Sequence, residues 1–160
     1  MKRFPLVMSI VVLSAVAAGP LIAQTNPFLG TWKLNVAKSK FEPGPAPKSL
    51  TRTIVADGGG AKYTFEGVSA DGKPISYSFS TKYDNKDAPV SGSGLPGGAD
   101  SITFKPIAGN KVSTALKKGG KEIGSAEIEV SKDGKVTTVK SKGKLPDGKE
   151  FHSESVYDKQ

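Results

Sequence analysis

Side chains that could carry covalent, acid–base or metal chemistry are scarce in this chain of 160 residues. There is no cysteine and one histidine, His152, so neither a thiol nucleophile nor a metal site of several histidines can be assembled. Most acidic residues lie in turn sequences or alternate with lysines. We therefore expect no enzymatic activity, no metal site and no cofactor, and we expect His152 to face solvent.

Turn sequences such as Asp-Gly, Gly-Gly and Gly-Asn recur along the chain and divide it into short alternating segments. Regular spacing of this kind predicts an antiparallel up-and-down meander, which avoids exposed edges by closing into a barrel of about eight to ten strands. The predicted strands are 30–37, 49–56, 61–69, 73–84, 101–107, 111–117, 121–131, 135–144 and 149–158, with a short further strand at 87–91.

Strand parity predicts which side chains share the interior. A three-residue loop at 70–72 pairs Phe65 with Tyr77 and Tyr63 with Phe79, which gives one coherent apolar face. A four-residue loop at 57–60 then places Arg52 opposite Phe65. Arg52, the only arginine after Arg3, would therefore lie among inward-facing aromatic residues.

Arg52 has two interpretations at that position. A guanidinium in an aromatic-lined interior is a natural anchor for a carboxylate or another anionic group. Alternatively, Arg52 has a structural role, stacked on Trp32 near the barrel end or extended to water along its stem. The aromatic residues likewise serve as core, and the many Ser, Thr, Gly and Ala at alternating positions permit an incompletely filled interior.

Two segments interrupt the strand pattern. Residues 41–47 are rich in proline and predict an extended connection that cannot form a helix. Residues 91–100 predict a flexible loop. This loop contains Gly-x-Gly-x-x-Gly at 92–97, but Pro96 lies inside the motif and no helix follows, so we do not expect nucleotide binding.

The N-terminus reads as an export signal. Lys2 and Arg3 precede a short apolar run, and small residues follow, with cleavage expected after Ala23 or, alternatively, after Ala17. The run is too short to span a bilayer. We therefore expect a signal peptide at 1–23, a single domain at 24–160 and a periplasmic or secreted protein.

The charge predicts no nucleic-acid partner. Loss of Lys2 and Arg3 lowers the formal charge of +8 to about +6, and lysine supplies nearly all of the remaining positive charge. Lysine suits a solvated strand face, whereas nucleic-acid sites favour clustered arginines and exposed aromatic residues. We expect a monomer whose partner is a small hydrophobic or amphipathic molecule.

The segment Phe28-Leu-Gly-Thr-Trp-Lys-Leu34 resembles the first strand of the calycin superfamily, in wording closest to the fatty-acid-binding proteins. The C-terminal Val156-Tyr-Asp-Lys159 resembles the last strand of that family. The pattern of residues 26–159 is also similar to a group of secreted bacterial proteins that has no established activity. The resemblance implies a lipocalin-like barrel in which Trp32 closes one end and Tyr157 faces the cavity.

The chain departs from the family pattern in three places. The proline-rich segment cannot supply the two short helices that fatty-acid-binding proteins insert after their first strand. Ser155 occupies the position where their carboxylate-binding arginine would stand, two residues before Tyr157. Lipocalins usually carry a late arginine against the early tryptophan, and no arginine follows Arg52.

The function expected from the sequence is binding of a small hydrophobic or amphipathic ligand. If Arg52 is the anchor, that ligand is anionic. The candidate ligand-binding residues are Arg52, Tyr63, Phe65, Tyr77, Phe79 and Tyr157. The alternative is a barrel with a filled interior whose surface binds another protein or an envelope polymer. A cavity of several hundred cubic ångströms would favour the first function.

Overall fold

The computed structural model describes residues 26–160 of the chain, and these residues form an all-β, antiparallel, nearly closed barrel. The expected signal peptide and its cleavage position lie outside the described residues. The strands are β1 (Gly30–Leu34), β2 (Lys40–Glu42), β3 (Ser49–Asp57), β4 (Gly60–Val68), β5 (Pro74–Thr81), β6 (Ala88–Pro89), β7 (Ser91–Ser93), β8 (Ser101–Ala108), β9 (Lys111–Lys118), β10 (Lys121–Val130), β11 (Val136–Lys144) and β12 (Glu150–Lys159).

The strands follow one another around the barrel in the order β6-β8-β9-β10-β11-β12-β1-β3-β4-β5-β7. The two ends of this path meet in the short segment 88–93. Its first part, β6, pairs with β8, and its second part, β7, pairs with β5. One kinked segment thus bridges both edges, which leaves few unpaired backbone groups at the seam.

The predicted register of β3, β4 and β5 is confirmed. Phe65 pairs with Tyr77, and Tyr63 with Phe79, across a three-residue loop that ends in Gly72 at φ 86°. Arg52 pairs with Phe65 as expected. The loop between β3 and β4 differs, because pairing continues to Asp57 and Gly60 and leaves two residues at the turn.

That shorter turn consists of Gly58 and Gly59, whose φ angles are 51° and 84°. Positive φ at both central positions matches the right-handed twist of the flanking strands, so the hairpin closes more tightly than a four-residue loop would. The register is the same in both cases, since the hairpin only gains one further pair. The inward position of Arg52 therefore does not depend on this difference.

Residues 26–160 contain twelve strands where eight to ten were predicted. All nine long segments form strands, and the short one at 87–91 appears as β6. Two strands are additional. β2 occupies the start of the expected proline-rich connection and pairs with β12. β7 lies in the expected flexible loop and pairs with β5. Neither alternates in polarity strongly enough to be recognised, because each is three residues long.

Trp32 of β1 belongs to the buried core of the barrel. Its side chain is completely buried, and its Nε1 donates a hydrogen bond to the backbone oxygen of Phe28 at 2.9 Å. In the sheet it lies between Arg52 of β3 and Lys159 of β12. The expected burial of Trp32 is confirmed.

No helix within residues 26–160 combines the length and the apolar character needed to cross a membrane.

Candidate ligand-binding site

The barrel encloses a cavity of about 490 Å³. It opens at one end, between the loops that precede β3, β5, β8 and β12, and Phe41, Leu95 and Leu145 lie at this mouth. A protein that binds a ligand inside the barrel needs an open interior. The volume of this cavity lies within the range of small-molecule sites. The filled interior of the alternative function is therefore not observed.

The cavity brings the six candidate residues together. Arg52, Tyr63, Phe65, Tyr77, Phe79 and Tyr157 all line it. Phe65 is half-buried and the other five are buried. Since the six residues come from four strands, β3, β4, β5 and β12, the barrel itself positions them. Whether they bind a ligand stays a prediction.

One wall of the cavity is aromatic. Phe65 stacks on Tyr77 with ring centroids 4.5 Å apart, and Tyr63 stacks on Phe79 at 5.0 Å. Phe104 of β8 extends the cluster, with centroids 5.1 Å from Tyr63 and 5.5 Å from Phe79. Cross-strand aromatic pairs of this geometry stabilise the sheet as well as lining the cavity.

The opposite wall carries small side chains. Along the sheet, β4 is five strands away from β10, and β5 is five strands away from β11. Five strands are half of the circumference of the barrel. A cross-strand row of four inward residues crosses β9 to β12, and we call it the hydroxyl row: Thr114, Ala126, Ser141 and Ser153. All four line the cavity. Because these side chains are short, the large rings opposite do not meet them, and the space between remains open.

Arg52 is 2% exposed and carries its charge without a counter-ion. Its Nε and Nη2 atoms have no hydrogen-bond partner, and no carboxylate within residues 26–160 forms an ion pair with it. The guanidinium carbon lies 4.4 Å from the centroid of the Tyr157 ring and 5.6 Å from that of Trp32. The sequence left open whether Arg52 stacks on Trp32 or faces the cavity, and the side chain does both.

Burial governs the pKa values of the ionisable groups in the cavity. It lowers the pKa of Arg52, an effect that Tyr157 and other tyrosines partly oppose. Burial raises the pKa values of Tyr157, Tyr77 and Tyr63, and for Tyr63 the adjacent Tyr83 adds to the rise. The phenol oxygens of Tyr63 and Tyr83 are 2.8 Å apart, and Asn26 donates to Tyr83.

These tyrosines predict loss of stability at high pH. Each folded-state pKa lies above the ordinary value of 10.0, so the folded protein keeps protons that the unfolded chain releases. The stabilisation is present below that ordinary value and is lost as the pH rises above it. Denaturant titrations at roughly pH 9 and pH 11 should show a lower free energy of unfolding at the higher pH.

Tyr77→Phe is the matched variant for this effect, since it keeps the ring and removes one ionisable group. We expect its stability to fall less steeply with pH, by up to about 1.4 kcal/mol per pH unit for one proton. An unchanged slope would show that Tyr77 ionises in the folded protein.

The outer face of the barrel holds a second depression of about 630 Å³, across β9 to β12 and β2. Its outward side chains form rows of alternating charge, including Lys140 and Glu154 at 3.9 Å. His152 lies in this depression and is exposed, as expected. The charged side chains of this depression pair with one another in solvent and offer little apolar surface to a ligand. The inner cavity is therefore the better candidate site.

Sequence reasoning missed several cavity residues. Phe104 and the hydroxyl row were not named as candidates, although Val112, Thr114 and Leu116 alternate with small or charged residues in the sequence of β9. That alternation is the signal that could have identified the row. The mouth residues Phe41, Leu95 and Leu145 belong to segments without strand periodicity, so their side chains could not be placed from the sequence.

No protein-family model and no curated protein matches the chain. Solved structures of similar outline are calycin, or lipocalin-like, barrels, as the sequence resemblance implied. The zebrafish ileal bile-acid-binding protein complexed with cholic acid is 13% identical, with 84% of this chain and 99% of that chain covered and a TM-score of 0.47. The extracellular fatty-acid-binding protein As-p18 is 15% identical, with 84% and 97% covered and a TM-score of 0.40.

A redesigned β-barrel, mFAP1, bound to DFHBI, is 12% identical, with 83% of this chain and 95% of that chain covered and a TM-score of 0.46. Identities and scores this low describe a shared outline. What the cavity of this chain binds has to follow from its own side chains.

Proposed function

We propose that the protein binds a small amphipathic molecule in the barrel cavity, with the anionic group of that molecule at Arg52. The observation that carries the proposal is the buried guanidinium without a counter-ion on the wall of an aromatic-lined cavity. A buried charge is costly unless it is paired, and an anionic ligand supplies the pair. The role is binding rather than catalysis.

The free atoms of Arg52 specify the kind of anion. Nε and Nη2 share one edge of the guanidinium group, the edge that holds two oxygen atoms of a carboxylate or phosphate side by side. In this structure both nitrogens are buried. We therefore expect Arg52 to turn away from the Tyr157 ring when an anion binds.

The aromatic wall and the mouth hold the apolar part of the ligand. Phe65, Tyr77 and Phe79 offer ring surface within the cavity, and Leu95 and Leu145 continue the apolar lining toward solvent. The proposal includes a monomer that acts in the periplasm or outside the cell, as the N-terminal signal predicts. A filled barrel that acts only through its surface has no support from this interior.

The test begins with protein purified from its native host compartment without delipidation. Native mass spectrometry should show a copurifying acid of low mass, and the delipidated protein should bind fatty acids in a fluorescence-displacement titration. A protein that carries no amphiphile and displaces no probe over the soluble range of fatty acids would disprove the proposal.

Ala126→Phe should block the cavity. Ala126 lies in the wall of small residues, and a ring added there would project into the space opposite the aromatic wall. We expect fatty-acid affinity to fall about ten-fold or more, because the ring occupies ligand volume and one lost methylene contact alone changes affinity several-fold. The measurement is the same displacement titration.

The matched control for this variant is Ser125→Phe. Ser125 precedes Ala126 on β10, so its side chain points to the opposite face of the sheet, and it does not line the cavity. Affinity should be unchanged there. Equal affinities for the wild type and Ala126→Phe would show that the ligand does not enter the barrel.

A further inference from the structure

The two walls of the cavity differ in chemistry. Rings from β4, β5 and β8 form the aromatic wall, whereas the hydroxyl row on β9 to β12 places three hydroxyl groups among its four side chains. A cavity built for an unsubstituted alkyl chain has no use for hydroxyl groups on one side, since each interrupts the apolar contact.

The hydroxyl row has hydrogen-bonding capacity to spare. The oxygens of Ser141 and Ser153 are 2.6 Å apart, and a single hydrogen bond joins them. Two O–H groups supply two donors, so one donor of the pair remains for another acceptor. Thr114 donates to the backbone oxygen of Ala126 at 3.4 Å, a length at which the bond is weak.

Two glycines beside the hydroxyl row make room for the ring of Phe151. Gly124 and Gly143 pair across β10 and β11, and the ring of Phe151 lies against Gly143. A side chain at Gly143 would collide with the backbone oxygen of Ile123 and with Phe151. The Phe151 ring thus packs beside the hydroxyl row, while all four residues of the row still line the cavity, so a ligand can reach them.

We infer that the ligand is an acid with hydroxyl or carbonyl groups along one side and an apolar surface on the other. The apolar side lies against the aromatic wall, the polar side against the hydroxyl row, and the acid at Arg52. This inference rests on the proposed function, because it concerns the ligand of the same cavity. It predicts that a hydroxyl group placed on the polar side of the ligand does not weaken binding.

The experiment compares stearate with the series of monohydroxystearates that differ only in the position of the hydroxyl group. A hydroxyl buried without a partner weakens binding by roughly ten-fold or more. We expect at least one isomer to bind as tightly as stearate or more tightly, because its hydroxyl reaches Ser141 and Ser153. Displacement titrations measure each affinity.

The double variant Ser141→Ala with Ser153→Ala should reverse this result. Stearate should bind it as well as it binds the wild type, while the best hydroxystearate should fall roughly ten-fold behind stearate. The matched control, Ser113→Ala with Ser125→Ala, changes the same number of serines on the outer faces of β9 and β10. This control should bind stearate and the hydroxystearates in the same order of affinity as the wild type.

Two failures are distinguishable. If stearate binds and every hydroxystearate binds about ten-fold more weakly than stearate, the inference about the polar side is wrong while the proposed function stands. The same holds if the double variant leaves the order of affinities unchanged. If neither stearate nor any hydroxystearate binds, the proposed function itself fails.

Discussion

Replacement of Trp32 by alanine should lower the free energy of unfolding by about 3–5 kcal/mol, the range for truncation of a large buried aromatic residue. The side chain is completely buried and packs against the guanidinium of Arg52 on one side and the ammonium of Lys159, 5.1 Å from the ring centroid, on the other. Its removal also leaves the backbone oxygen of Phe28 without the indole donor.

The variant loses the single tryptophan of the chain, so unfolding should be followed by circular dichroism in a denaturant titration rather than by fluorescence. Lys33→Ala is the matched control, since Lys33 is the exposed neighbour on the same strand. That change should stay within about 0.5 kcal/mol of the wild type. A loss below about 1 kcal/mol for Trp32→Ala would show that the ring does not hold the barrel core together.

The sequence predicts the fold well where strands are long and hairpins are short. Period-two alternation assigns side chains to faces, and a glycine turn then fixes the register, so the pairing of Phe65 with Tyr77 follows from the sequence alone. The same logic placed Arg52 inside. An error of two residues in the β3–β4 loop did not matter, because it preserved the pairing of every residue beyond the turn.

The closure of the barrel and the shape of its cavity could not be predicted in the same way. Closure depends on β6 and β7, whose two and three residues are too short to show a period. The cavity depends on which strands lie opposite one another, a relation between β4–β5 and β10–β11 that no local pattern contains. Parity shows that Ser141 points inward, but only the closed sheet shows that Phe65 and Tyr77 lie on the opposite wall.

Arg52 should be the residue on which the discrimination between acid and alcohol depends. We expect palmitate to bind roughly ten- to one-hundred-fold more tightly than palmityl alcohol, since hydrogen bonds to a charged partner contribute about 1.5–3 kcal/mol. Arg52→Gln should remove most of that difference. Displacement titrations of both ligands against both proteins measure it, with Lys62→Gln as a control for loss of one positive charge from the surface.

The same residue should lower the stability of the protein when no anion is bound. Desolvation of a charge in a protein interior costs several kcal/mol, and the contacts of Arg52 with the Tyr157 and Trp32 rings offset about 2 kcal/mol each. Arg52→Met keeps a side chain of similar length without the charge. We therefore expect the delipidated variant to be more stable than the wild type by about 1 kcal/mol or more, and to gain less stability from palmitate. If Arg52→Met instead lowers stability and leaves the preference for the acid intact, Arg52 is a structural residue of the barrel core, and the anionic group of the ligand lies elsewhere.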